Sequence, residues 1–126
     1  MNALYDAEIR YLDDRLCELD EHLIQQGIYD DSLLVLFGDH GESLTEHDIY
    51  WDHCGLYETT VRVPVIMRWP GRIPAGRRIS GLVQQPDLMP TILEAAGIAA
   101  PSGLDGRSLW PSLLGEENGT RDTVFF

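Results

Sequence analysis

The chain has 126 residues, 44% apolar and 24% charged, with a net charge of −12. That length suffices for one small domain with a core, and no apolar run is long enough to span a bilayer. A sequence pI near 4.4 excludes nucleic-acid binding through an overall basic field.

The charge is unevenly spread. Residues 1–58 hold fifteen of the twenty-one acids and, as bases, only Arg10 and Arg15, whereas Arg62, Arg68, Arg72, Arg77 and Arg78 follow with no acid among them. An acidic half is ordinarily a solvated face, but acids converging on one point suit a divalent cation. The chain contains no lysine. Cys17 and Cys54 form no CxxC pair and specify no disulfide framework.

Met1-Asn-Ala-Leu-Tyr5 runs straight into a charged amphipathic pattern, so no signal peptide is expected to open the chain. Tyr5, Ile9, Leu12, Leu16, Leu19 and Leu23 recur at helical steps and predict one amphipathic helix, stopped at Gly27. His22 lies beside the stripe and reads as a surface residue. Cys17, next to Leu16, reads as a small packed residue.

Leu33-Leu-Val-Leu-Phe37 is an unbroken apolar run between Asp30-Asp31-Ser32 and Gly38, which predicts a strand buried on both faces. Asp39 and His40 follow Gly38 at once. In open α/β sheets ligands bind beyond the carboxyl ends of strands, so an acid and an imidazole there suit metal or anion chemistry. The alternative is a turn in which Asp39 bonds nearby N–H groups and His40 is a surface residue.

Residues 39–58 form a polar segment with three of the four histidines, His40, His47 and His53, and six acids. Val61 to Arg68 predicts an edge strand or a strand starting after Pro64. Residues 69–76 read as turns, and Ile79 to Val83 as a short strand. Gln85 to Gly97 predicts a helix with Leu88, Ile92 and Ala95/Ala96 on one face, Pro90 in the first turn and Gly97 as the stop. A loop with a helical turn at residues 108–114 follows, and Thr123 to Phe126 reads as the beginning of a strand. A strand ending so soon suggests a piece of something longer. Asn118-Gly-Thr120 matches a glycosylation acceptor and is taken as coincidental.

The order of these segments resembles the sulfatase family of the alkaline-phosphatase superfamily. Leu33-Leu-Val-Leu-Phe-Gly-Asp-His-Gly-Glu42 resembles the family's strand and DHGE-type ligand motif. Gly55-Leu-Tyr-Glu58, Val61-Arg-Val-Pro64 and Arg68-Trp-Pro-Gly71 are similar to its (K/H)GxxYE, VRVP and WPG block. Tyr5 to Asp14 resembles the preceding helix. Gln85 to Gly97 and Leu104-Asp-Gly-Arg-Ser-Leu109 resemble the closing helix and loop. The resemblance implies an α/β fold, a fragment of an alkaline-phosphatase-like sandwich with a mixed central sheet flanked by helices. Residues 1–126 would form a later, partial segment of the catalytic domain.

It also implies metal-dependent cleavage of a small-molecule or glycan sulfate ester. Asp39 and His40 match two metal ligands, with calcium expected and manganese as the alternative, because imidazole is a softer donor than carboxylate. His53 stands where the family commonly has a sulfate-contacting lysine, which makes it the candidate catalytic donor; the alternative is that it merely bonds Asp52 or backbone in a loop. Cys54 departs from the His-His of some sulfatase-like sequences. Glu42 is expected to support His40, as ligating histidines require. His47 is expected to cap or pack the loop, and Arg62 to pair with Glu58. Tyr50 and Trp51 either line the pocket mouth or pack.

The family's nucleophile motif, C/S-x-P-x-R, is not matched at Cys17, Cys54 or any serine. The chain by itself is therefore expected to be inactive. Two rivals remain open: a phosphonate monoester or phosphodiester hydrolase with the same metal site, and a non-catalytic binding module on the same scaffold.

Overall fold

A computed structural model describes residues 2–119 and 121–125. The elements are a helix α1 (Asn2–Gln25), a strand β1 (Leu34–Phe37), a short helix α2 (Glu58–Val61), a strand β2 (Val65–Arg68) and helices α3 (Leu88–Ala95) and α4 (Trp110–Leu114). The chain divides into two compact units, Met1–Trp69 and Pro70–Phe126.

In the first unit α1 ends near the expected stop, with Gly27 at φ 69°, a left-handed conformation that glycine adopts without a steric penalty. β1 and β2 pair antiparallel, with Leu34 opposite Arg68 and Phe37 opposite Val65. The second strand thus begins after Pro64, where the ring no longer costs a ladder hydrogen bond. Arg68 fastens this end of the pair: it donates to the Tyr29 carbonyl (3.0 Å) and to Asp30 (2.9 Å), and its guanidinium lies 3.7 Å from the Tyr29 ring centre. Tyr29 in turn donates to Asp20 on α1.

Two expectations fail here. β1 is not buried on both faces, since Leu36 is 39% and Phe37 47% exposed. Within the described residues the sheet has two strands, and such a sheet covers neither face. Cys17 is exposed rather than packed, and so are Ile9, Leu12 and Leu19 of the same stripe.

The second unit holds the buried apolar side chains found among the described residues: Leu88, Leu109 and Leu113. Leu88 and Thr91 are buried on α3, and the Thr91 hydroxyl accepts from Leu109 N–H (2.7 Å). Ile92, expected on that face, is exposed, because the buried positions of the helix are Leu88, Pro90 and Thr91. Asp87, fully buried, accepts from Gln84 N–H and Arg107 N–H at 2.8 Å each and pairs with Arg121. Gly97 ends the helical segment at φ 70°.

Residues 79–83 form no strand. Among the described residues their backbone pairing is a bridge from Leu82 to Arg121, and Ser80 is held by the Asn118 side chain. Residues 123–125 are not in a strand either; Phe126, like the Thr120 of the acceptor pattern, lies outside the described residues. No described helix is long and apolar enough to cross a membrane.

Candidate metal and substrate site

The site begins where β1 stops. Gly38 N–H donates to the Pro64 carbonyl (3.2 Å), one step past the ladder, and a Cβ at residue 38 would press on Val63. The chain then turns, and Gly41 N–H donates to the Thr60 carbonyl (2.8 Å). A Cβ at Gly41 would clash with the Thr59 carbonyl, so that crossing requires glycine. Asp39 and His40 are thereby presented between two pinned points.

Both side chains are exposed and bonded to the adjacent backbone, as the turn alternative has it. Asp39 Oδ1 accepts from His40 N–H (3.0 Å). His40 Nδ1 lies 2.9 Å from the Gly41 carbonyl oxygen. A carbonyl only accepts, so Nδ1 carries the proton, and in the neutral ring Nε2 keeps its lone pair. That nitrogen stands 3.9 Å from Asp39 Oδ2, a separation two ligands of one ion can span. The Gly41 carbonyl raises the His40 pKa above the ordinary imidazole value, helped by the Asp39 and Glu42 charges and opposed by partial desolvation.

His53 arrives from the far side of the loop. The Ser43–Asp52 bridge closes the loop base (2.9 and 3.3 Å), and buried Ser43 bonds the Thr59 hydroxyl (2.8 Å). His53 follows directly, and its ring lies against that of His40, centroids 4.3 Å apart and planes 31° from parallel. Glu42 Oε2 stands 3.7 Å from His53 Nδ1. Donor atoms of His40, Glu42 and His53 all fall within 4.8 Å of one another. Carboxylates are hard donors, and the fixed His40 tautomer leaves a lone pair exposed. This set, which could hold a divalent cation, includes Glu42 and His53 but not the expected Asp39, which stands beside His40.

Asp52 anchors the residues after it. Its Oδ1 accepts from His53 N–H (2.7 Å), and the Cys54 thiol together with that N–H holds its pKa below the ordinary carboxylate value. The same carboxylate raises the Cys54 pKa, so Cys54 favours its thiol form.

Asp39, His40 and His53 therefore share one neighbourhood. Glu42 is nearer His53 than the sequence suggested; its expected role was to support His40. The bond from His53 N–H to Asp52 is the one the loop alternative for His53 expects. His47 packs, its ring stacked on Tyr57 at 3.9 Å, and Arg62 pairs with Glu58 on the surface (3.6 Å). Trp51 meets Tyr5 edge-on at 6.4 Å, whereas Tyr50 is exposed.

The family model described as Sulfatase matches residues 1–98. The chain is similar to the multifunctional alkaline phosphatase superfamily protein PehA of Trinickia caryophylli, with 36% identity over 90% of this chain and 22% of the relative. It is similar to the N-acetylglucosamine-6-O-sulfatase of Bacteroides thetaiotaomicron, with 35% identity over 89% of this chain and 20% of the relative. Its fold matches the solved structure of a phosphonate monoester hydrolase from Silicibacter pomeroyi at a TM-score of 0.78 and 38% identity, covering 83% of this chain and 20% of that one. The chain thus spans about a fifth of the length of the relatives it matches.

Proposed function

We propose a function from one premise: this chain belongs to the sulfatase family. It supplies part of the metal and substrate site of a sulfuric ester hydrolase. The supporting observation is the strand-end cluster, in which Asp39 and His40 leave β1 together and the His53 ring packs on His40 at 4.3 Å.

Asp39 and His40 hold a divalent cation, calcium in the main reading, with manganese the alternative suited to an imidazole ligand. When bound, the cation offsets negative charge on the transferred group. His53 donates a hydrogen bond to a sulfate oxygen. As the attacking oxygen bonds to sulfur the S–O bond to the alcohol breaks, and the departing oxygen keeps the bonding pair and takes a proton from the His53 ring. No residue of this chain is assigned as the nucleophile, because neither Cys17 nor Cys54 stands in the family's motif. The substrate is a small-molecule or glycan sulfate ester.

A second reading, phosphonate monoester hydrolysis, is favoured by the likeness to the Silicibacter pomeroyi enzyme. Paired kinetics of the complete protein on aryl sulfate, aryl phosphonate monoester and aryl phosphodiester decide between them. The expected result is the highest kcat/KM on sulfate. A higher value on phosphonate or phosphodiester overturns it, and bound metal without turnover of any of the three identifies a non-catalytic module.

A further inference from the structure

We infer that Glu42 is the positioning residue of His53, holding its imidazole so that Nε2 addresses the substrate. The inference rests on the reading of His53 given above. Two carboxylates face His53 Nδ1 at nearly equal range, Glu42 Oε2 at 3.7 Å and Asp52 Oδ1 at 3.8 Å. They are not equivalent. Asp52 Oδ1 already accepts the His53 backbone N–H at 2.7 Å, and the carboxylate also meets the Cys54 thiol. Its side chain is 50% exposed, against 24% for Glu42. Asp52 therefore fixes the backbone of residues 53–54, and Glu42 is the acceptor left for the ring.

Rotation of that ring is restricted on a second side. His40 lies against its face, and the His40 ring is itself held by the Gly41 carbonyl. A carboxylate on Nδ1 and a packed ring on one face leave Nε2 as the outward atom. Orientation of an imidazole by a carboxylate on its other nitrogen is the arrangement that lets histidine pass a proton in acyl transfer. The chemistry requires the same here: Glu42, now 3.7 Å from Nδ1 and just beyond hydrogen-bond range, closes on Nδ1–H while the Nε2 proton goes to the departing oxygen. Both groups sit at the two ends of a loop whose base is stapled by the Ser43–Asp52 bridge, so the pairing is built into the fold.

The test measures kcat/KM of the complete protein, with metal content and thermal melting, across aryl sulfates of rising leaving-group pKa. Wild type is compared with Glu42→Ala, Glu42→Gln, Glu42→Asp, His53→Ala and the double variant Glu42→Ala/His53→Ala. Glu42→Ala is expected to lose on the order of tenfold to hundredfold, more on poor leaving groups than on good ones. Glu42→Gln, whose amide oxygen still accepts from Nδ1–H, should recover much of the loss. The double variant should be no worse than His53→Ala alone.

The inference is overturned if the Glu42→Ala loss is equal across leaving groups, adds in full to that of His53→Ala, or departs together with the metal. Should Glu42→Ala fail to fold, Glu42→Asp carries the comparison: its carboxylate is one methylene short of the ring, and an unchanged leaving-group dependence overturns the inference. An unimpaired His53→Ala overturns the reading of His53 itself. An impaired His53→Ala with a wild-type-like Glu42→Ala overturns only the role of Glu42.

Discussion

Arg121 donates to the carboxylate of Asp87, a side chain with no exposure to solvent. The same carboxylate collects the Gln84 and Arg107 N–H groups, so one acid ties three separate segments of the second unit together. Removing one partner of a buried pair leaves an uncompensated charge, which costs about 3–5 kcal/mol. Arg121→Ala is expected to lower the unfolding free energy by that order, and Asp87→Asn by less, because its amide oxygen keeps an acceptor. Urea denaturation of the two variants checks both, and a change below 1 kcal/mol for Arg121→Ala would refute the hub role.

The stack of His47 on Tyr57, with planes 11° from parallel, offsets a backbone cost, for His47 adopts φ 58°. A double-mutant cycle of His47→Ala and Tyr57→Ala is expected to return a coupling of about 0.5–1.5 kcal/mol. Zero coupling in thermal or chemical denaturation would mean that the stack is incidental.

Asp39 is well exposed, so losing its carboxylate should leave the fold intact. In the complete protein Asp39→Ala should remove bound metal and more than about 99% of activity together, as loss of a ligand predicts. Elemental analysis after dialysis, beside the rate, is the check. Retained metal with retained rate would refute ligation by Asp39.

Glu46 accepts N–H groups from Thr45 and Leu44 (3.1 and 2.8 Å), and these with its own N–H hold its pKa below the ordinary glutamate value. With the folded pKa depressed, this contribution to loop order is full above the unfolded value of about 4.3 and fades as pH falls through the folded one. Amide exchange at Leu44 and Thr45 should therefore lose protection on acidification below that value. In Glu46→Gln the protection should no longer follow pH there; an unchanged pH dependence would exclude the carboxylate as its cause.

Much of this was legible in the sequence. Heptad-like spacing marked α1, an apolar run closed by glycine marked β1, and Pro90 with Gly97 bracketed the helix around Leu88. These signals are local, and here the surrounding chain agrees with them. Burial was not legible in the same way. The run at residues 33–37 has the composition of a strand covered on both sides, yet Phe37 is half open beside a single partner strand. Ile79 to Val83 has strand-like residues, but a strand needs a neighbour, and among the described residues only Leu82 finds one. The site divided along the same line. The place of Asp39 and His40 just after a strand is legible because it is local, whereas the approach of Glu42 to His53 depends on how the intervening loop closes.

That closure has a consequence for how the scaffold accommodates change. The Ser43–Asp52 bridge closes the base of the loop; within it His47 and Trp51 pack on Tyr57 and Tyr5, whereas Tyr50 is open to solvent. Once ends are stapled, each doubling of loop length costs only about 0.6 kcal/mol. Changes of length around the exposed Tyr50 are therefore expected to cost little while Glu42 and His53 stay in register. The tip of the loop is where this segment tolerates insertion most readily.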